Sequence, residues 1–278
     1  MTPDLGLMTY SDASGLFSWR EVPLTQTYLP ITITVTAPGY GAWVLQNVRL
    51  VANDTLILTV ELSEIPKTIV VPPPRAEHPD WPEDLFQEAP LEVPMEDQTN
   101  LPLPTSIRIR VTGYAHCDLE RPYTVETVDF KHYAKHVLPN EWSASWPQES
   151  LRAGAMAVKM YAWSYVAVGG KWPDADVYDS TCDQVYNPAV EYESTNNAVD
   201  FTWNWRLMRG DQLVRTFYRH EYSQCPSGLA GNCMGQVESR DMTYDGYTWD
   251  EILLYFYSDS ALSEIDPSPW GYSLRYYG

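Results

Sequence analysis

The chain has 278 residues and a mass of 31.8 kDa, enough for one large domain or two of ordinary size. Hydrophobic residues make up 44%, so a sizeable core can form, while 37 acidic residues against 18 basic ones set a formal charge of −19. Such a field repels nucleic-acid backbones and anionic membrane surfaces, and no apolar run approaches a bilayer span, so neither nucleic-acid binding nor membrane insertion is expected. Eleven Trp and 20 Tyr against six Phe mean that most aromatic rings carry a polar handle, which suits sugar faces, wet interfaces and cores alike.

Residues 1–64 read as strands. Ile31 to Thr36 alternates aliphatic residues with Thr, the period-two pattern of a sheet with one buried face. Pro38-Gly39 marks a turn, Ala42 to Leu50 and Thr55 to Leu62 continue as strands, and Asn53-Asp54 turns between them. The order from Ser11–Phe17 through Ala37–Tyr40 to Leu56–Leu62 resembles carboxypeptidase-regulatory-like β-sandwiches. The strands that open that fold are missing, so the sandwich is expected to be incomplete. Either upstream residues or a neighbouring chain would complete it, the latter giving self-association through the open sheet edge. Residues 65–104 carry Pro72-Pro73-Pro74 and further prolines, among them Pro79, Pro82, Pro90, Pro94, Pro102 and Pro104, between acidic residues, which predicts an extended, solvated linker with Trp81, Leu85 and Phe86 as anchors.

Residues 105–278 mix strand and helix patterns, giving an α+β class for the chain. Ile107–Val111 and Tyr123–Val128 alternate like strands. Ser145-Trp146-Pro147-Gln148 predicts a capped helix start, followed by Leu151, Ala155, Val158, Ala162 and Tyr165 at helical spacing and a stop at Gly169-Gly170. Phe201–Arg206 and Gln212–Tyr218 predict a hairpin across Arg209-Gly210-Asp211, and Thr248-Trp249-Asp250-Glu251 a capping box opening the last helix.

Glu141 is the residue with the clearest chemical potential. It follows an apolar triplet and is flanked by Trp142 and Trp146, and apolar walls disfavour the ionised carboxylate. Such a group can donate a proton to a glycosidic oxygen; the alternative is a surface Glu before a helix, placed by the dipole. Asp183, Gln184 and Tyr186 can hydrogen-bond a sugar or hold a turn. Cys117, Cys182, Cys225 and Cys233 allow three pairings, of which Cys225–Cys233 across a short Gly/Pro loop with Cys117–Cys182 is preferred. A zinc set of Cys182, His220, Cys225 and Cys233 is the lesser alternative, because its spacing is not a standard zinc pattern. Paired thiols imply an oxidising compartment, yet residues 1–20 lack the basic start and apolar stretch of a signal peptide, so an upstream leader is expected.

Tyr133–Trp142 and Trp146–Ala162 resemble the SpoIID/LytB family, whose pattern runs Y-V-x-x-V-x-x-x-E-M and then W-P-x-E-A-L-K-A-Q-A-V-A-A-R-T-Y-A. Further matches follow in order: Cys182–Tyr186 with the family's C-x-Q-V-Y turn, Ala198-Val199 and the 201–218 hairpin, and Gly246–Tyr257 with its final helix. The similarity covers about 105–258. It implies an extracellular or cell-envelope protein acting on peptidoglycan glycan strands, with no cofactor, as a lytic transglycosylase whose catalytic acid falls on Glu141. Trp142, Trp146, Asp183, Gln184, Tyr186, His220 and Gln236 are then the substrate-contact candidates. Two departures stand out. Gly231–Ser239 keeps Met234 and Gln236 of the family's Gly-rich stretch but displaces its glycines, and Lys159 replaces an Arg. A noncatalytic surface or appendage protein on the same scaffold, or a glycan-binding module, are the rival expectations.

Overall fold

The structure, a computed structural model of the chain, describes residues 30–77 and 97–265. The segment Ser11–Phe17 and the anchors Trp81, Leu85 and Phe86 lie outside the described residues. The described chain is α+β, with the first strands preceding a helical region. The strands before the helices are β1 (Ile31–Val35), β2 (Trp43–Val48), β3 (Leu56–Leu58), β4 (Lys67–Val70), β5 (Ser106–Val111) and β6 (Thr124–Asp129). Two helices follow, α1 (Phe130–Glu141) and α2 (Gln148–Ala167), then β7 (Val177–Tyr178), β8 (Val190–Tyr192) and α3 (Glu193–Thr202). The remainder comprises β9 (Trp205–Arg209), β10 (Gln212–Leu213), β11 (Phe217–Arg219), β12 (Cys233–Gly235), α4 (Gln236–Tyr244), α5 (Trp249–Phe256) and β13 (Ala261–Glu264).

The alternation in β1 turns Ile33 inward and the threonines outward, as its pattern predicts. β1 pairs antiparallel with β2, and the register slips between Ile31 and Ile33, opposite Val48 and Leu45. Asn47 takes the slack with φ 62°, a left-handed conformation that Asn tolerates, and the bulge keeps Trp43, Leu45 and Val48 all on the buried face. β4 adds parallel to the other side of β2. The expected linker is therefore shorter than its prolines indicate. Lys67–Val70 is a strand, the 3-10 turn at Arg75–Glu77 buries Arg75 and Ala76, and beyond the gap Gln98 is again buried. Gln98 accepts from the Leu213 N–H and donates its own N–H to the Asp211 carbonyl, both at 2.8 Å. An extended, Pro-rich segment can be stapled to a surface through its remaining backbone groups, which composition alone does not reveal.

The larger core surrounds α2, in which 15 of 20 residues are buried. α1, α3, α4, α5 and β9 pack around it. A helix apolar on every side is an interior helix. Its start departs from the expected cap: Pro147 is the N-cap with extended ψ 146° and no side-chain bond, while the Ser145 hydroxyl instead meets the Ser143 hydroxyl at 2.9 Å. Its end follows expectation, with Gly169 and Gly170 at φ 90° and 118° and the Gly170 N–H returning to the Tyr165 carbonyl. The capping box at Thr248 is present, Glu251 accepting from the Thr248 N–H at 2.9 Å.

The hairpin turn at Gly210 is where it was expected, but its first strand is not. Phe201 and Thr202 end helix α3, because Thr195, Ala198, Val199 and Thr202 recur at i, i+3, i+4 and i+7 and bury that face. Beyond β10, β11 leaves the hairpin and pairs parallel with β12. The N-terminal strands do not stand apart from the helical region. β3 pairs antiparallel with β8, and Ile33, Trp43, Leu45, Val48 and Val71 share one apolar cluster with Ala144, Ala189, Val190 and Tyr192.

Candidate active site

Glu141 is the last residue of α1, a helix begun by Asp129, whose carboxylate accepts from the His132 N–H at 2.8 Å. Pro139 sits inside its last turn, and the Trp142 N–H closes the helix on the Leu138 carbonyl. The Glu141 side chain is buried, with Oε1 accepting from the Val185 N–H at 2.8 Å. Gln236, the first residue of α4 and itself buried, donates to the Glu141 carbonyl at 2.9 Å. The loop at 182–186 and the β12–α4 junction, 44 and 95 residues further along the chain, thus converge on this residue.

Aromatic groups enclose it. Trp142 is fully buried, its ring lying against Gly154 of α2 so closely that a Cβ there would fall 2.6 Å from Cδ2. The indole donates to the Ser239 hydroxyl at 3.3 Å and meets the Tyr218 ring edge-on at 4.9 Å. Gln184 joins two phenols: Tyr133 donates to its Oε1, and its Nε2 donates to the Tyr218 hydroxyl, each at 2.9 Å. Burial pushes both phenols well above their ordinary range, so they stay neutral.

Of the candidate sugar contacts, Trp142, Gln184, Tyr186 and Gln236 stand around α1, and Trp142, Gln184 and Gln236 are buried in protein hydrogen bonds. Tyr186 stacks on Tyr133 with 5.5 Å between centroids. Asp183 lies deeper and holds a turn. It accepts from Tyr161, Lys171, Trp172 and the Tyr178 N–H at 2.6 to 2.8 Å, and burial pushes its pKa up against the pull of the Lys171 ammonium. Trp146 sits under the Arg240 guanidinium at 5.1 Å. His220 flanks the β12–α4 junction, its carbonyl accepting from the Val237 N–H at 3.0 Å.

The cysteines pair as Cys117–Cys182 and Cys225–Cys233, with no free thiol among the described residues. Cys182, Cys225 and Cys233 are therefore spent as metal ligands, and the alternative set with His220 is not assembled. Sequence reasoning left out Tyr133, Tyr218, Ser239 and Glu191. Tyr133, Tyr218 and Ser239 each lie within a stretch already matched to the family, while Glu191 carries no local pattern. Lys159, at the family's Arg position, is buried and donates to the carbonyls of Thr202, Trp203 and Trp205 at the end of α3. Its role there is to close a helix rather than to meet a ligand.

Residues 120–208 match the SpoIID family, described as Stage II sporulation protein, so this stretch, from β6 into β9 and including Glu141, is a SpoIID domain. The N-terminal strands and the segment from Arg209 onward lie outside the match. A 95-residue stretch is 37% identical to an uncharacterised protein of Brachyspira hyodysenteriae, covering 34% of this chain and 26% of that protein. The chain thus spans about a quarter of the length of the curated relative it matches. A SpoIID domain implies at most an interaction with cell-wall peptidoglycan, and together with two disulfides it fits an extracytoplasmic, cell-envelope location.

Proposed function

We propose that this chain cleaves peptidoglycan glycan strands as a lytic transglycosylase, with Glu141 as acid and then base. The observation that carries the reading is the placement of Glu141, in the SpoIID domain, where the Val185 N–H holds the carboxyl, Gln236 holds the residue's backbone carbonyl, and buried aromatic rings stand alongside. Protonated Glu141 gives its proton to the glycosidic oxygen leaving muramic C1, through an oxocarbenium-like transition state. The carboxylate left behind takes the proton of the same sugar's 6-hydroxyl as that oxygen bonds to C1. The glycosidic bond breaks, the anhydro ring closes, no water is consumed, and Glu141 ends protonated as it began. Because the nucleophile belongs to the substrate, no second carboxylate is required. Glu141 is covered in this structure, so glycan binding has to draw back the β12–α4 junction while the Val185 N–H stays on the carboxyl.

That same burial favours a second reading, a noncatalytic envelope scaffold in which Glu141 only ties α1 to Val185. Mass spectrometry of peptide-free glycan strands separates the two. Anhydro-muramic ends from the wild type, absent with Glu141→Gln, are the expected result. Reducing ends would instead mean hydrolysis, and no product from the folded wild type would leave the scaffold.

A further inference from the structure

The segment 185–192 runs from Glu141 to the N-terminal strands without a break. At one end the Val185 N–H holds Glu141 Oε1 at 2.8 Å. Tyr186 then packs on Tyr133, with its ring centroid 6.0 Å from that of His136, and the Asn187 N–H reaches the His136 carbonyl. Glu191 Oε1 lies 3.3 Å from His136 Nε2, one and a half turns before Glu141 on the same helix. At the other end β8 is paired with β3, Leu56 opposite Tyr192, Ile57 opposite Glu191 and Leu58 opposite Val190.

That far end is fixed by residues of the N-terminal segment. Asp54 accepts from the Ser194 N–H at 2.9 Å and from the Ser194 hydroxyl at 2.6 Å, and the Thr55 hydroxyl donates to Glu193 at 2.6 Å. The Tyr192 hydroxyl donates to the Arg49 carbonyl, and the Glu193 N–H to that of Thr55. Ala144, three residues beyond Glu141, sits in the same apolar cluster as Trp43 and Leu45. Glu141 is thus bracketed on both sides of the helix end by parts that the N-terminal strands hold.

We infer that the N-terminal strand segment is a positioning element of the Glu141 site rather than a spacer: Asp54 and β3 set the height of segment 185–192, and through the Val185 N–H and the Glu191–His136 contact they aim the carboxyl. Asp54 and Glu191 are positioning residues. This rests on the proposed function for its consequence in turnover, but not for its structural content.

The test is hydrogen exchange at the Val185 amide in the full chain, with Ile252 of α5 as the distant reference. In Asp54→Ala, loss of the two Asp54–Ser194 bonds should speed Val185 exchange roughly five- to tenfold while Ile252 is unmoved, and Asp54→Asn should restore it. Glu191→Gln should act in the same direction, and decides the matter if Asp54→Ala does not fold. Turnover of glycan strands should fall in kcat at unchanged KM, since aim rather than binding is lost. Opening of the 54–58 amides with Val185 unmoved would overturn the inference. So would equal acceleration at Val185 and Ile252, because the strands would then serve only global stability. A wild type without turnover would sink the functional reading, and Val185 exchange would still decide this one.

Discussion

Gly154 shows how one missing side chain shapes the site. α2 approaches the Trp142 ring so closely that any Cβ at this position overlaps the indole, and Trp142 follows Glu141 directly. Gly154→Ala would gain helix propensity, but displacing a fully buried indole costs more than that gain. Urea unfolding should show a net loss of about 1–3 kcal/mol. The small residues Ala153, Gly154, Ala155 and Ala157 by themselves allow close packing of α2 against a neighbour. What they do not reveal is the partner, since Trp142 reads equally well as a sugar platform and as a core ring.

Helix α1 depends on what lies alongside it. His136 is buried between the His132 carbonyl, 3.0 Å from Nδ1, the Glu191 carboxylate and the Tyr186 ring, with the His132 ring 4.0 Å away. Burial holds its imidazole below the ordinary value, with the His132 carbonyl and Glu191 pulling the other way. The folded chain therefore takes up a proton there less readily than the unfolded chain, whose imidazole titrates near ~6.5. Stability from this group is complete above about pH 6.5 and is lost as pH falls through the lowered folded value. His136→Gln removes the term, so its denaturation midpoint should fall less than that of the wild type between about pH 7 and about pH 5. By their i, i+4 spacing alone, with no acidic or third His partner nearby in sequence, His132 and His136 read as a surface pair. Only the arrival of segment 185–192 buries one of them, and no local pattern encodes that approach.

The two disulfides act at very different chain separations, 65 residues for Cys117–Cys182 and 8 for Cys225–Cys233. Closing the longer loop removes more entropy from the unfolded chain, about 4 kcal/mol against about 2.5 kcal/mol in the chain-entropy account. Replacing both members of each pair by Ser should lower thermal stability in that order, read by calorimetry. The longer bridge also ties the loop after β5 to the turn that carries Gln184 and Val185, so its loss is expected to loosen the Glu141 site as well.

Periodicity and turn chemistry carried β1, β5 and α5 in the sequence by itself, because each buries a face whose spacing matches its own repeat; β6 alternates too but lies exposed along most of its length, and α2, buried nearly all round, was legible from its helical spacing and its Gly-Gly stop. The order of short motifs pointed to the SpoIID domain and to Glu141, and the four cysteines to their pairing. Tertiary structure alone decided that Pro-rich flanks dock and that Asp183 serves four internal donors. It alone joined β3 to β8. Those outcomes depend on contacts between residues far apart in the chain, such as Asp54 with Ser194 or Gln236 with Glu141, and a long-range contact leaves no period behind it in the sequence.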